Sequence, residues 1–180
     1  MTIFRFCVFS FFCFLLAGCQ ASSVQTAVPL HPENDYPVKV TVDEASNRTL
    51  IATVRDHRLV IDQPRAFKGD DNGPTPPELL AVSYGTCVAS TLQLVALQRG
   101  ITIDDISVTV EGTVNFSKAL GVSDDMRAGF SSLTATVSFV SRLNEAEKRA
   151  LINEVARVGA VLDNLKNPTP LKYIVKPAVR

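Results

Sequence analysis

Cys87 is the residue through which this sequence could carry out covalent chemistry. It lies in a stretch with no charge between Glu78 and Arg99, with Ser83 and Tyr84 before it and Ser90 and Thr91 after it. At spacings of three and four, these hydroxyls share its face of a helix. Gly85 leaves room for another element to come close. A thiol attacks only as the thiolate, which needs access and a nearby positive charge. Without them, a free cysteine is a small buried hydrophobe. Cys87 stands beyond the first helical turn, so the helix dipole does not supply that charge. Arg65, Lys68 and Arg127, all in loop-like stretches, are the candidate cations, and each is otherwise an ordinary solvated charge. Glu78 is the candidate carboxylate. Nine residues before Cys87, it is about 900° away around a continuous helix, half a turn out of phase, and roughly 13 Å along it. Within one chain the two side chains cannot meet. Glu78 reaches the Cys87 site only from a partner subunit; otherwise it is a favourable charge at a helix start.

Composition excludes other chemistries. The chain has 180 residues, 46% of them hydrophobic and 20% charged, which suits one folded domain and not a disordered chain. Eighteen basic and eighteen acidic side chains leave no net charge and no electrostatic footprint for nucleic acid. Four cysteines lack C-x-x-C spacing, and His31 and His57 are the only histidines. That pattern predicts neither a metal site nor a thioredoxin-type motif. No motif calls for a cofactor.

The elements that must position Cys87 follow from periodicity. Val38, Val40 and Val42 alternate with polar residues and predict a half-buried strand. Residues 50–54 and 59–61 predict a hairpin, with Arg55, Asp56 and His57 in or near its turn. Residues 62–77 are dense in Gly, Pro and Asp and predict a loop. Pro77 and Glu78 then open a helix that stops at Gly100. A helix apolar nearly all round belongs in the core. Alternation over 106–114 and 133–139 predicts two long strands. Asn144 and Glu147 form a capping-box start for a helix whose apolar face is Leu151, Ile152, Val155 and Val158. A last strand is expected over 171–175. The order βββ-α-ββ-α-β predicts an α+β fold with a buried helix between sheets.

The first residues read as an address. Arg5 precedes a run from Phe6 to Ala17 in which only Ser10 is polar. The run is too short to span a bilayer, which takes about 20 apolar residues. It has the anatomy of a secretory signal. Leu16-Ala17-Gly18-Cys19 resembles the bacterial lipobox. That resemblance implies removal of residues 1–18, a lipid on Cys19, and, with Gln20 following, attachment to the outer membrane facing the periplasm. Residues 19–37 then form the lipidated cysteine and a flexible tether, and residues 38–180 the domain. Cys7 and Cys13 leave with the signal, so Cys87 is the one free thiol of the mature chain.

Asn72-Gly-Pro-Thr-Pro-Pro-Glu-Leu-Leu-Ala-Val-Ser-Tyr-Gly-Thr-Cys87 resembles the signature of the OsmC/Ohr superfamily, the osmotically inducible and organic hydroperoxide resistance proteins. The segment from Gly121 to Phe130 and Leu165-Lys-Asn-Pro168 also resemble members of this group. The likeness covers about residues 38–176. It implies an intertwined α+β homodimer with two central helices between antiparallel sheets. It also implies thiol peroxidase chemistry on organic hydroperoxides and a role in oxidative stress defence. Cys87 matches the peroxidatic cysteine, which an arginine activates and a glutamate supports. Arg65, by its place before the Gly/Pro loop, and Glu78 are assigned to those roles.

Three departures accompany the likeness. The position of the family's second cysteine falls on Gly159, so an oxidised Cys87 needs an external thiol or dithiol reductant. The hydroperoxide branch carries its glutamate one place earlier, at Pro77 here. No motif fixes the arginine. Two functions therefore stay open: a one-cysteine thiol peroxidase, and a non-enzymatic envelope lipoprotein that binds a small apolar ligand in the dimer cleft. Lipid attachment is checked by mass spectrometry of the native N-terminus. The expected N-terminus is a diacylglyceryl-modified Cys19; an intact Met1 or a free Cys19 thiol would refute it.

Overall fold

The computed structural model describes residues 34–177; the signal and most of the tether lie outside them. Strands β1 (Thr41–Ser46), β2 (Thr49–Val54) and β3 (His57–Ile61) form an antiparallel sheet in that order. The β1–β2 turn is Asn47-Arg48, both residues at positive φ (34° and 70°), which matches the twist of a tight two-residue hairpin. The β2–β3 hairpin falls where the alternation placed it. β1 starts at Thr41, later than expected, and all six of its residues are exposed. The half-buried strand inferred from Val38, Val40 and Val42 is thus corrected: among the described residues nothing buries those side chains, which are 51–72% exposed.

Helix α1 (Pro76–Gln98) is the centre of the domain. Thr75 caps it, and Glu78 returns a hydrogen bond to the Thr75 backbone N–H, closing a capping box over two donors that a helix start leaves free. One side of α1 lies on strand β4 (Asp104–Val114), which pairs antiparallel with β5 (Phe130–Val140). Gly85 makes this contact close: a Cβ there would stand 3.1 Å from Val110 Cγ2. Another side meets α2 (Glu145–Val158) and the short α3 (Ala160–Lys166). Val88, Leu92 and Val95 of α1 interlock with Leu151, Val155 and Leu162. Leu92 is fully buried, and truncating such a side chain to Ala costs about 2–5 kcal/mol. An Arg99–Glu154 ion pair ties the end of α1 to α2.

This is an α+β fold with two antiparallel sheets and a central helix. α1 is central, as expected, and within one protomer part of it stays uncovered: Val82 is 54% and Leu97 78% exposed. One expectation is corrected here. Residues 171–175 form no strand, and Val175 is 93% exposed. A strand needs a free sheet edge alongside, and none of the described strands pairs with this segment.

The loop over residues 62–75 is held by a buried carboxylate. Asp62 has no exposed surface. Its Oδ1 accepts from the Gln63 N–H at 2.8 Å and its Oδ2 from the Asn72 N–H at 2.9 Å. These bonds span a loop in which Lys68 and Asp71 sit at positive φ (64° and 62°). The Asn72 N–H is the largest influence holding the Asp62 carboxyl below its ordinary value; burial opposes it, and the Gln63 N–H assists. A depressed carboxyl stabilises the fold above its unfolded pKa, and that contribution is lost as pH falls through the lower folded value. Asp62→Asn should therefore lower the melting temperature by several degrees at pH 7. The gap to the parent should close as pH falls below about 4, the ordinary aspartate range. Equal melting temperatures at pH 7 would refute the clamp.

Candidate active site

Cys87 is half-buried on the face of α1 that meets α2 and α3. Its Sγ lies 3.8 Å from Thr91 Oγ1, a contact in which either group can donate. Ser90 turns back to the backbone, its Oγ donating to the Cys87 carbonyl at 3.3 Å. Of the hydroxyls that share this face by helical spacing, Thr91 is therefore the one in contact with the sulfur.

Gly159 stands opposite the sulfur. It separates α2 from α3 with φ −72° and ψ 124°, an extended conformation open to any residue. A Cβ built on Gly159 would lie 3.5 Å from Cys87 Sγ. The residue aligned with the missing second cysteine is thus beside the sulfur in space, 72 positions away in the sequence. The same Cβ would meet Leu162 Cδ1 at 2.7 Å and the Val155 carbonyl oxygen at 3.1 Å.

Glu78 is not in this cluster. Its carboxylate Oε2 accepts from the Thr75 N–H at 2.6 Å and from the Thr75 hydroxyl at 2.8 Å. The N–H bond chiefly, then the hydroxyl, holds its carboxyl below the ordinary glutamate value. Glu78 lines a different groove, of about 430 Å³, with Ala81, Val82, Gly85, Val108 and Val110. That groove follows the β4 side of α1, away from the α2–α3 side, as the half-turn phase difference requires. The Thr-x-x-Glu spacing of Thr75 and Glu78 is a capping-box signature that the sequence reading passed over.

Arg65 opens a single 3-10 turn (Arg65–Phe67) and is exposed. It forms no salt bridge with a described carboxylate. Two residues on, Phe67 packs on Phe116 with ring centroids 5.3 Å apart. This contact joins the Arg65 turn to the long connection between β4 and β5, which carries Arg127. Arg127 lines a cavity of about 290 Å³ together with Tyr84, Leu162 and Lys166. The structure thus brings Cys87, Thr91 and Gly159 together and sets the Arg127 cavity next to them. It leaves Glu78 and Arg65 elsewhere on the same chain. Lys166 lies in the Leu165-Lys-Asn-Pro168 segment of the resemblance, but nothing in the sequence assigned it a role at the site. Among the described residues no group of three or more His, Cys, Asp or Glu could hold a metal ion.

Comparison with known proteins gives one family. The family model described as OsmC-like protein matches residues 69–174. Among solved structures, the chain is similar to an OsmC-like protein from Mycoplasma pneumoniae at 18% identity and TM-score 0.65, covering 74% of this chain and 90% of that one. An organic hydroperoxide resistance protein OsmC from Legionella pneumophila is similar at 22% identity and TM-score 0.55, covering 73% and 90%. Another organic hydroperoxide resistance protein, from Elizabethkingia anophelis, is similar at 18% identity and TM-score 0.56, covering 76% and 92%. No curated protein matches the sequence.

The Gly159 geometry has a direct consequence. In residues 20–180, where Cys87 is the only thiol, Gly159→Cys should close a disulfide with Cys87 on mild oxidation. A Cβ 3.5 Å from Cys87 Sγ lets a new Sγ come within bonding reach, an S–S bond being about 2.05 Å, and the Leu162 methyl end can swing aside. The measurement is the intact mass, which should fall by two hydrogens, with the cross-linked peptide identified after digestion. A folded variant that stays reduced would show that the two positions do not face each other.

Proposed function

The chain belongs to the OsmC-like protein family, and on that premise we propose that it is a one-cysteine thiol peroxidase acting on organic hydroperoxides. The observation that carries this reading is the setting of Cys87. It is half-buried in the central helix, and its neighbours Tyr84 and Leu162 line a cavity that also carries Arg127 and Lys166. The Cys87 thiolate attacks the terminal peroxide oxygen. The O–O bond breaks, the alcohol leaves after taking a proton, and the sulfur becomes a sulfenic acid. An external thiol or dithiol then returns it to the thiol.

We assign the working form to a homodimer. Within one protomer α1 leaves Leu80, Val82, Leu94 and Leu97 uncovered, and the groove along Ala81, Gly85 and Val110 is apolar. A second α1 laid in that groove would bury both. The exposed apolar side chains of β1 and of residues 171–175 need a cover of the same kind. In such a dimer Glu78 and Arg65 come to Cys87 from the partner. Oε1 of Glu78 is free to orient the guanidinium, because Oε2 alone takes the Thr75 bonds. The Leu16-Ala17-Gly18-Cys19 tetrad supports placing the assembly on the periplasmic face of the outer membrane by a lipid.

Stopped-flow consumption of cumene hydroperoxide by residues 20–180, in the presence of a thiol, tests the reading. Activity should travel with a species of twice the chain mass in light scattering. Cys87→Ser should abolish it, and Arg65→Gln should lower the rate constant by about tenfold or more, as loss of a charge-stabilising donor does. A Cys87 thiol that survives a large excess of peroxide would refute the peroxidase reading and favour an apolar-ligand carrier. A stable monomer at micromolar concentration would refute the dimer.

A further inference from the structure

This inference rests on the reading of Cys87 as a redox thiol, and names the reductant class that reaches it. The cavity of about 290 Å³ is lined by neighbours of Cys87 and not by the thiol itself. Tyr84 lies one turn before Cys87 on the same face. Ala156 and Leu162 flank Gly159, whose Cβ position is 3.5 Å from Sγ. The cavity has two characters. Phe130, Leu133 and Leu162 give it apolar walls, while Arg127, Lys166 and the Tyr84 phenol give it donors, and no Asp or Glu lines it. Lys166 Nζ donates to the Ala156 carbonyl at 2.7 Å, which holds the ammonium on the cavity wall. Arg127 forms no salt bridge with a described carboxylate.

We propose that this cavity seats a small thiol carrying a carboxylate, which resolves Cys87 in place of the thiol that Gly159 lacks. The volume is at the lower end of small-molecule sites and suits a ligand of amino-acid to dipeptide size. The carboxylate meets the Arg127 guanidinium and the Lys166 ammonium, and the thiol end extends past Leu162 to the sulfur. The sulfenic acid of Cys87 and the thiol R–SH form the mixed disulfide Cys87–S–S–R and release water. A second thiol R′–SH attacks the R sulfur, and R–S–S–R′ leaves as Cys87 takes back the proton as a thiol. The two electrons that reduce the sulfenic acid come from the two outside thiols.

Thiol exchange at Cys87 tests this without any peroxide. The full chain with Cys7→Ser, Cys13→Ser and Cys19→Ser, in neutral detergent, is converted to its 2-pyridyl mixed disulfide at Cys87. Release of thiopyridone is followed with 3-mercaptopropionate, 2-mercaptoethanol and cysteamine, which are anionic, neutral and cationic thiols of similar size. Each rate is divided by that of the same thiol on a small-molecule pyridyl disulfide, which removes differences in intrinsic nucleophilicity. The anionic thiol should exceed the neutral one by about three- to tenfold, the scale of two partly exposed charge pairs. The cationic thiol should fall below both. Arg127→Gln with Lys166→Gln should bring the ratio to within about twofold of one, as should molar salt. If the double variant does not fold, Arg127→Gln alone should roughly halve the preference. Equal normalised rates for the three thiols, or a preference that survives these substitutions, would overturn the proposal. Failure to consume hydroperoxide alongside a charge-selective exchange would overturn the peroxidase reading and leave the cavity assignment standing.

Discussion

Helix α1 carries no charge between Glu78 and Arg99, and the rest of the domain is arranged around that fact. A helix apolar on all sides must be covered on all sides. The chain covers one side with β4, brought close by Gly85, and another with α2 and α3. What remains bare is an uncharged surface in which Leu80, Val82, Leu94 and Leu97 stand with the polar Thr86, Ser90 and Gln93. Each of those Leu and Val side chains gains about 1.5–3 kcal/mol on full burial, against a typical net stability of about 5–15 kcal/mol for a whole domain. The uncovered surface is therefore large on the scale of the fold itself. The same constraint sets the chemistry: a polar, half-exposed thiol stands in a core helix only because α2 breaks at Gly159 directly above it.

Legibility in the sequence followed the range of the signals. Alternation at period two located β2, β3, β4 and β5, and the Asn144–Glu147 capping box located α2. These patterns report which side of a segment is apolar. They do not report what covers it. Hence residues 171–175, expected as a strand, pair with none of the described strands, and the pattern of α1 alone does not say which of its sides one protomer covers. The break between α2 and α3 at Gly159 was invisible for another reason. Its φ and ψ are ordinary for an extended residue, so no turn motif marks it, and the helix pattern of Ala160–Lys166 continues smoothly from that of α2.

For the site, local geometry was legible and the long-range geometry was not. Helical phase alone separated Glu78 from Cys87, and the two do lie on different sides of α1. Thr91 was identified by its i+4 spacing, and it is the hydroxyl at the sulfur. The juxtaposition of Cys87 and Gly159 was reached only through a family resemblance, since nothing in composition or spacing links positions 72 apart. Arg127 was named as a candidate cation, but nothing in the sequence joined it to Lys166 in one cavity. That cavity is assembled from four segments: α1 and α2 give one lining residue each, and the β4–β5 connection with the start of β5, and α3, give three each.

On the proposed peroxidase reading, a glycine at position 159 changes what limits the redox cycle. A second thiol held beside the sulfur would act intramolecularly, where effective concentrations reach about 10⁵ M or more in well-oriented cases. With no such thiol, reduction becomes bimolecular and depends on how often an outside thiol arrives and how it is oriented. Clefts lined by charge of one sign raise the local concentration of oppositely charged ligands and their association rates. In the proposed cycle, the two cations and the absence of carboxylates in the cavity lined by Tyr84 and Leu162 are the form such compensation takes. It would recover only part of the lost advantage, so an oxidised Cys87 would stay open to a second peroxide and to the sulfinic state for longer than in a paired site.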